Sequence, residues 1–129
     1  MRVREYTDAD LDAVRAMHTA QGFNYELPDV SDPLFLVRTI VEEDDRPRMA
    51  ALLRLTAETY LLADPRDGTP RQRWNWLAAL HEATRKAAAD RGLADVQAFL
   101  PPRVARAFGR RLRQLGWRHD PWACYTRQV

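Results

Sequence analysis

The sequence predicts a mixed α/β fold in which an antiparallel meander is followed by two helices, each leading into a further strand. Three apolar segments separated by short polar turns lie within 34–63, and they predict the meander. Two helical segments, 70–91 and 101–115, alternate with strand-like segments, a pattern typical of crossover connections. With 129 residues, 46% of them hydrophobic, the chain can build one core, so a single domain over 1–129 is expected.

The N-terminal region is predicted to form a strand followed by a helix. Residues 2–6 alternate in character, as a short strand does. Thr7 follows as a helix cap, and Asp8 and Asp10 lie in the first turn, where carboxylates favour the positive end of the helix dipole. The predicted apolar stripe of this helix consists of Leu11, Val14 and Met17, with His18 alongside. Residues 21–33, rich in Gly, Asn, Pro and Asp, are predicted to form a loop.

The predicted meander contains three strands. Residues 34–42 and 48–56 are expected to pair antiparallel across a turn at 43–47. Residues 58–63 are expected to follow as the third strand, leaving the sheet at Asp64-Pro65.

The second helix is predicted at 70–91 because its two ends carry clear signals. Thr69, Pro70 and Gln72 match the T-x-x-Q capping box, with Thr69 as N-cap and proline at the first helical position. Gly92 follows the last turn, where glycine often ends a helix.

The start of this helix is also a candidate anion site. A strand that passes through a glycine turn into a helix start presents free N–H groups, which suit a phosphate. Here the turn is Asp67-Gly68, and Arg71 and Arg73 lie in the first helical turn. The alternative, that the turn simply connects two elements, stays open with equal weight.

The C-terminal part is predicted to contain a strand at 95–100, a third helix and closing strands at 117–119 and 122–127. The third helix opens at Pro101-Pro102 and ends at Gly116. Its apolar face consists of Val104, Phe108, Leu112 and Leu115, and its opposite face of Arg106, Arg110 and Arg113. We interpret the arginine face as solvated, and nucleic acid is not an expected partner.

Charge is distributed unevenly along the chain. Residues 1–64 carry 7 Arg against 13 acidic residues, whereas residues 65–129 carry 12 Arg and Lys86 against 5 acidic residues. A basic half can attract nucleic acid, a phosphorylated cofactor or the acidic half of a second copy. A homodimer through the 117–127 segment is therefore considered beside a monomer, since the four tryptophans suit either an interface or a core.

Several classes of protein are not expected from the composition. The single cysteine, Cys124, provides neither an internal disulfide nor a Cys-based zinc site, and the three histidines are too scattered to predict another metal site. No apolar run approaches the roughly 20 residues of a membrane span. Early charges argue against a signal peptide, so a cytoplasmic protein is expected.

The order of elements, together with Arg113-Gln114-Leu115-Gly116-Trp117 before a closing strand, resembles the GCN5-related N-acetyltransferase (GNAT) family. The resemblance extends over nearly the whole chain. It implies an acetyltransferase-like mixed sheet with flanking helices, in which the fourth and fifth strands separate and acetyl-CoA lies between them. It also implies transfer of an acetyl group to an amine of a small molecule or a peptide.

The resemblance also assigns candidate site residues. Glu58, at the start of the fourth strand, corresponds to the general base, although a Glu58 that faces solvent or pairs with Arg54 is the alternative. Leu61 and Leu62 would offer their backbone to the pantetheine arm. The cofactor pyrophosphate would be surrounded by Arg66, Gly68, Thr69, Arg71 and Arg73.

The sequence departs from the family pattern at two places. The family loop reads [QR]-x-x-G-x-[GA], and either alignment to this chain places Arg71 or Pro70 at the last small residue. Leu112 stands where the family often carries the tyrosine that protonates the departing thiolate. A second hypothesis is therefore a catalytically degenerate binding or assembly module with the same fold.

Overall fold

The computed structural model describes residues 1–129, which form two compact units, Met1–Ala57 and Glu58–Val129. The predicted mixed α/β class is confirmed, because the chain contains a three-stranded antiparallel sheet and three α-helices. The expectation of a single domain over 1–129 stays a prediction.

The first unit is built on the sheet β1 (Arg2–Glu5), β2 (Phe35–Glu43) and β3 (Arg46–Arg54), with β2 in the centre. Both pairings are antiparallel, which confirms the predicted pairing of 34–42 with 48–56. Asp44 and Asp45 connect β2 to β3 with φ of 52° and 56°. Two successive left-handed residues match the twist of a hairpin, and aspartate tolerates this conformation better than most residues.

The predicted first helix begins with a tighter turn than expected. A 3-10 turn, Asp8–Asp10, leads into α1 (Leu11–Gln21), which ends at Gly22 with φ of 70°. The Asp10 carboxylate accepts hydrogen bonds from the Thr7 N–H at 2.8 Å and the Thr7 hydroxyl at 3.2 Å. A helical segment therefore does begin after Thr7, but the hydrogen bonds of Thr7 stabilise the 3-10 turn that precedes α1.

The core of the first unit lies between α1 and the sheet. Its buried apolar side chains are Val14, Val30, Phe35 and Ile40. Phe35 and Ile40 are an odd number of residues apart, so a regular β2 would direct them to opposite faces. A register shift between Phe35 and Val37 interrupts the alternation, which allows both side chains to be buried.

A cluster of charges adds to this packing. Arg4 donates two hydrogen bonds of 2.8 Å to Asp10 and one of 2.7 Å to Glu42, which also accepts from Arg2 at 2.7 Å. Asp10 and Glu42 are 4% and 8% exposed. The hydrogen bonds from Arg4 are the main reason why the pKa of each carboxyl group lies below its usual value. The cluster joins β1 to β2 and to the 3-10 turn.

We expect Arg4→Gln to destabilise the first unit more than Arg2→Gln, because it leaves two buried carboxylates without their shared cation. Arg2 is a suitable comparison because its side chain is 67% exposed. Because folding lowers the pKa of both carboxyl groups, their ionised forms stabilise the fold at pH values above the unfolded-state pKa of about 4. This stabilisation is lost as the pH falls through the folded-state pKa values. Urea unfolding at pH 7 and at pH 3 should therefore show a smaller Arg4→Gln effect at the lower pH. An equal effect at both pH values would contradict this role.

The second unit contains β4 (Ala57–Glu58, starting at the last residue of the first unit), α2 (Pro70–Asp90), β5 (Val96–Gln97) and α3 (Pro102–Gln114). Strands β4 and β5 pair, and the Thr59 N–H donates to the Gln97 carbonyl at 2.8 Å. The predicted helices at 70–91 and 101–115 are confirmed to within two residues. The prediction that the 58–63 and 95–100 segments lie side by side is confirmed at the residues where β4 pairs with β5.

Two predicted strand regions are wrong. The third strand of the meander was expected at 58–63, but only its first residue belongs to β4, which pairs with β5 and not with β3. Leucine and alanine have modest strand propensity, and Pro65 lacks an N–H for a ladder. No strand forms at 117–119 or 122–127 either. There Asp120 accepts from the Trp122 N–H at 3.0 Å in a local turn, and Pro121 again lacks a donor.

Side chains in the second unit are less buried than those in the first. Neither α2 nor α3 contains a fully buried residue, and Trp76 and Leu80 are about half exposed. The Trp117 indole N–H donates to His81 Nε2 at 3.0 Å and thereby ties the segment after α3 to the middle of α2. No helix of the chain combines the length and the apolar character needed to span a bilayer.

Candidate functional site

The candidate site is a hollow of about 300 Å³ within the second unit. Its walls are the segment after β4, the first three turns of α2 and one face of α3. The lining residues are Leu61, Leu62, Ala63, Asp64, Asp67, Arg73, Trp74, Trp76, Leu77, Leu80, Phe108 and Arg111. The hollow is therefore mainly apolar with two arginines and two aspartates, a combination typical of small-molecule sites.

The capping box at the start of α2 is present as predicted, and it limits the anion site. The Thr69 hydroxyl accepts from the Gln72 N–H at 3.2 Å, and the Gln72 side chain accepts from the Thr69 N–H at 2.8 Å. The Arg73 N–H donates to the Thr69 carbonyl, and Pro70 has no N–H. Arg71 alone keeps a first-turn N–H for an anion, so arginine side chains must provide most of the attraction.

Gly68 occupies a position that only glycine fits well. Its φ is +74°, and an added Cβ would lie 2.6 Å from Cη2 and 2.7 Å from Cζ3 of Trp76. The indole of Trp76 therefore fills the space that a side chain would take at Gly68. Consequently, a ligand cannot approach Gly68 from that direction unless Trp76 moves.

The predicted arginines differ in what they contact. Arg66 forms two hydrogen bonds of 3.1 Å with Asp64, and these hydrogen bonds are the main cause of the lowered pKa of Asp64. Arg73 donates to the Pro65 carbonyl at 2.6 Å and lines the hollow. Arg71 is exposed and forms no ion pair within the chain, which leaves its guanidinium available to a ligand.

Arg111 is a lining residue that the sequence did not indicate. It lies on α3 three residues after Phe108, a spacing that places both on neighbouring parts of the helix surface. One of five arginines in the same helix carries no distinguishing signal. Only the packing of α3 in this unit shows that Arg111, unlike its neighbours, lines the hollow.

The candidate base Glu58 is exposed and lies in β4. Interaction with its carboxylate is the main cause of the raised pKa of the Tyr60 hydroxyl. The i, i+2 spacing of an extended chain puts Glu58 and Tyr60 on one side, so the sequence contained a signal for this pair. Glu58 is not among the residues that line the hollow.

The predicted site residues are thus only partly gathered in one place. Leu61, Leu62 and Arg73 line the hollow, whereas Arg66, Gly68, Thr69 and Arg71 lie along the loop and helix start at its edge. Leu61 and Leu62 are 53% and 89% exposed, and their N–H groups form no hydrogen bond within the chain. These two N–H groups can donate to a bound ligand. No cluster of three or more metal-ligating side chains is present.

No family model, curated protein or solved structure matches the chain. Function is therefore inferred from the residues and the geometry of the hollow.

Proposed function

We propose that the protein is an acyl-CoA-dependent N-acetyltransferase that acts on an amine of a small molecule or a peptide. The observation that carries this proposal is the hollow, where an apolar wall, two free N–H groups and arginines occur together. Such a site suits a ligand with a long amide-containing arm and phosphates at one end, as acetyl-CoA has. The acetyltransferase-like arrangement of sheet and helices belongs to the same proposal.

The residues around the hollow have complementary binding roles. Leu77, Leu80 and Phe108 offer apolar contacts to an acyl chain or pantetheine arm. The N–H groups of Leu61 and Leu62 can donate to its amide carbonyls, as a neighbouring strand would. The guanidinium groups of Arg71, Arg73 and Arg111 suit phosphate oxygens, since arginine binds phosphate through paired donors.

Catalysis would require few groups from the protein. Acetyl-CoA supplies the acetyl group as a reactive thioester. Glu58 would accept the proton of the attacking amine. The N–H of Leu62 would donate to the oxygen on which negative charge develops. Leu112 offers no proton, so water would protonate the leaving sulfur.

The second candidate is a catalytically degenerate binding or assembly module. Three observations favour it: the capping box consumes most of the free donors at the start of α2, Trp76 occupies the space beside Gly68, and Leu112 replaces a proton donor. Both candidates keep the same hollow. They differ in whether a bound acetyl-CoA is turned over in the presence of amines.

Thermal unfolding with acetyl-CoA tests binding. Ligand at a hundred times its Kd is expected to add about 2.7 kcal/mol to the free energy of unfolding. The double change Arg71→Ala, Arg73→Ala should weaken the stabilisation, whereas Arg85→Ala, Arg91→Ala at the far end of the same helix should preserve it. Because Arg73 also holds the Pro65 carbonyl, Arg71→Ala and Arg111→Ala serve as single variants that leave this contact intact. No shift at millimolar acetyl-CoA would contradict the proposal.

A further inference from the structure

Four arginines lie along one side of α3. We call these residues, Arg103, Arg106, Arg110 and Arg113, the arginine stripe. All four are exposed. At 3.6 residues per turn their positions lie within an arc of about 80°, and the row is about 15 Å long. Arg111 is on a different side of the helix, where it lines the hollow.

The arginine stripe has no negative partner within the chain. No residue of the stripe forms an ion pair, whereas elsewhere Arg66 pairs with Asp64 and Arg85 with Glu82. The sequence explains the difference, because no aspartate or glutamate occurs between residues 96 and 119. The repulsion among four neighbouring guanidinium groups is therefore compensated only by solvent and ions, and an external polyanion would relieve it.

The opposite face of α3 is already engaged. Phe108 lines the hollow, and Phe108, Leu112 and Leu115 are all half-buried. A basic amphipathic helix that binds a membrane must insert its apolar face into the lipid. Since this apolar face packs against other elements of the second unit, a soluble polyanion suits the arginine stripe better than a bilayer.

Contrary to the expectation from the sequence, we propose that the arginine stripe binds the phosphate backbone of a nucleic acid without reading its sequence. Its length equals the axial rise of about four to five nucleotides of one strand at 3.4 Å each. Arginine binds phosphate oxygens through paired donors, and contacts with phosphate position a protein without selecting bases. This binding function is separate from acetyl transfer and does not depend on it.

Fluorescence anisotropy with a labelled single strand and a labelled duplex, each of random sequence, tests the proposal. Four phosphate contacts predict a slope of log K against log salt of about −2.8 for the single strand and −3.6 for the duplex. Between 50 and 200 mM salt, the affinity should fall about 50-fold and about 150-fold, respectively. A wild-type protein that binds neither probe at low salt, or that binds polyglutamate equally well, would overturn the proposal.

Variants separate the arginine stripe from net charge. Changing all four stripe residues to Gln should abolish binding, and changing them to Lys should preserve most of it, because lysine keeps the charge. The control replaces Arg15, Arg46, Arg48 and Arg85 with Gln, which removes the same charge elsewhere and should leave most of the binding. If the fourfold Gln variant does not fold, the pairs Arg103→Gln, Arg106→Gln and Arg110→Gln, Arg113→Gln should each halve the salt slope. Equal losses in stripe and control variants would refute a specific surface.

Discussion

Ile40→Ala is expected to lower the free energy of unfolding of the first unit by about 2–5 kcal/mol, the usual cost of truncating a buried isoleucine to alanine. Ile40 is 0% exposed and lies in the central strand, opposite Arg4 on β1 and Ala50 on β3. Only four apolar side chains in the chain are buried, and Ile40 alone has no exposed surface. Removing the one that is completely enclosed leaves a cavity that few neighbours can fill.

A matched substitution on the same strand provides the control. Leu36 lies in β2 but is 61% exposed, so Leu36→Ala should change the free energy of unfolding by no more than about 0.5 kcal/mol. Ile40→Val, which removes one methyl group, should cost about 0.5–1.5 kcal/mol. Urea unfolding followed by circular dichroism measures all three. Similar losses for Leu36→Ala and Ile40→Ala would show that Ile40 is not the centre of the core.

The elements that sequence reasoning identified correctly are those specified by local interactions. The β2–β3 hairpin needs only alternating residues and a polar turn. Likewise, α2 starts at a capping box whose two hydrogen bonds join residues three positions apart. Such signals act within a few residues, so they survive without knowledge of the rest of the fold.

The failures came from interactions between distant residues. Glu42 pairs with Arg4 across 38 positions of sequence, and nothing local marks Glu42 as buried. The apolar run 60–63 read as a strand because periodicity alone cannot show whether a partner strand is available. The 117–127 segment failed for the same reason, since a strand exists only with a neighbour that accepts its hydrogen bonds.

At the candidate site, too, local sequence predicts some features, whereas others depend on the packing of distant residues. Thr69 and Gly68 have the conformations expected from a cap and a turn. The interaction of Glu58 with Tyr60 follows from the i, i+2 spacing of an extended chain and could have been predicted. The presence of Arg111 in the hollow and the contact of Trp76 with Gly68 depend on how helices pack, which no short motif encodes.

The largest expected effect on activity follows from the role of Glu58 in the proposed acetyl transfer. Glu58→Gln preserves the shape of the side chain but removes the group that accepts the proton of the amine. Removal of a positioned general base typically costs 10²- to 10⁴-fold, so kcat should fall by about this factor. Affinity for acetyl-CoA should change little, because Glu58 does not line the hollow.

The surrounding residues provide the controls for this substitution. Tyr60→Phe removes the hydroxyl whose pKa Glu58 raises, and it should lower kcat by less than Glu58→Gln does, because the carboxylate is still present. Glu82→Gln removes an exposed carboxylate that pairs with Arg85 and should leave kcat unchanged. Steady-state rates with a panel of amines and thermal shifts with acetyl-CoA separate catalysis from binding. Binding of acetyl-CoA without turnover of any amine would favour the degenerate module, whereas turnover that survives Glu58→Gln would assign the proton transfer to another group.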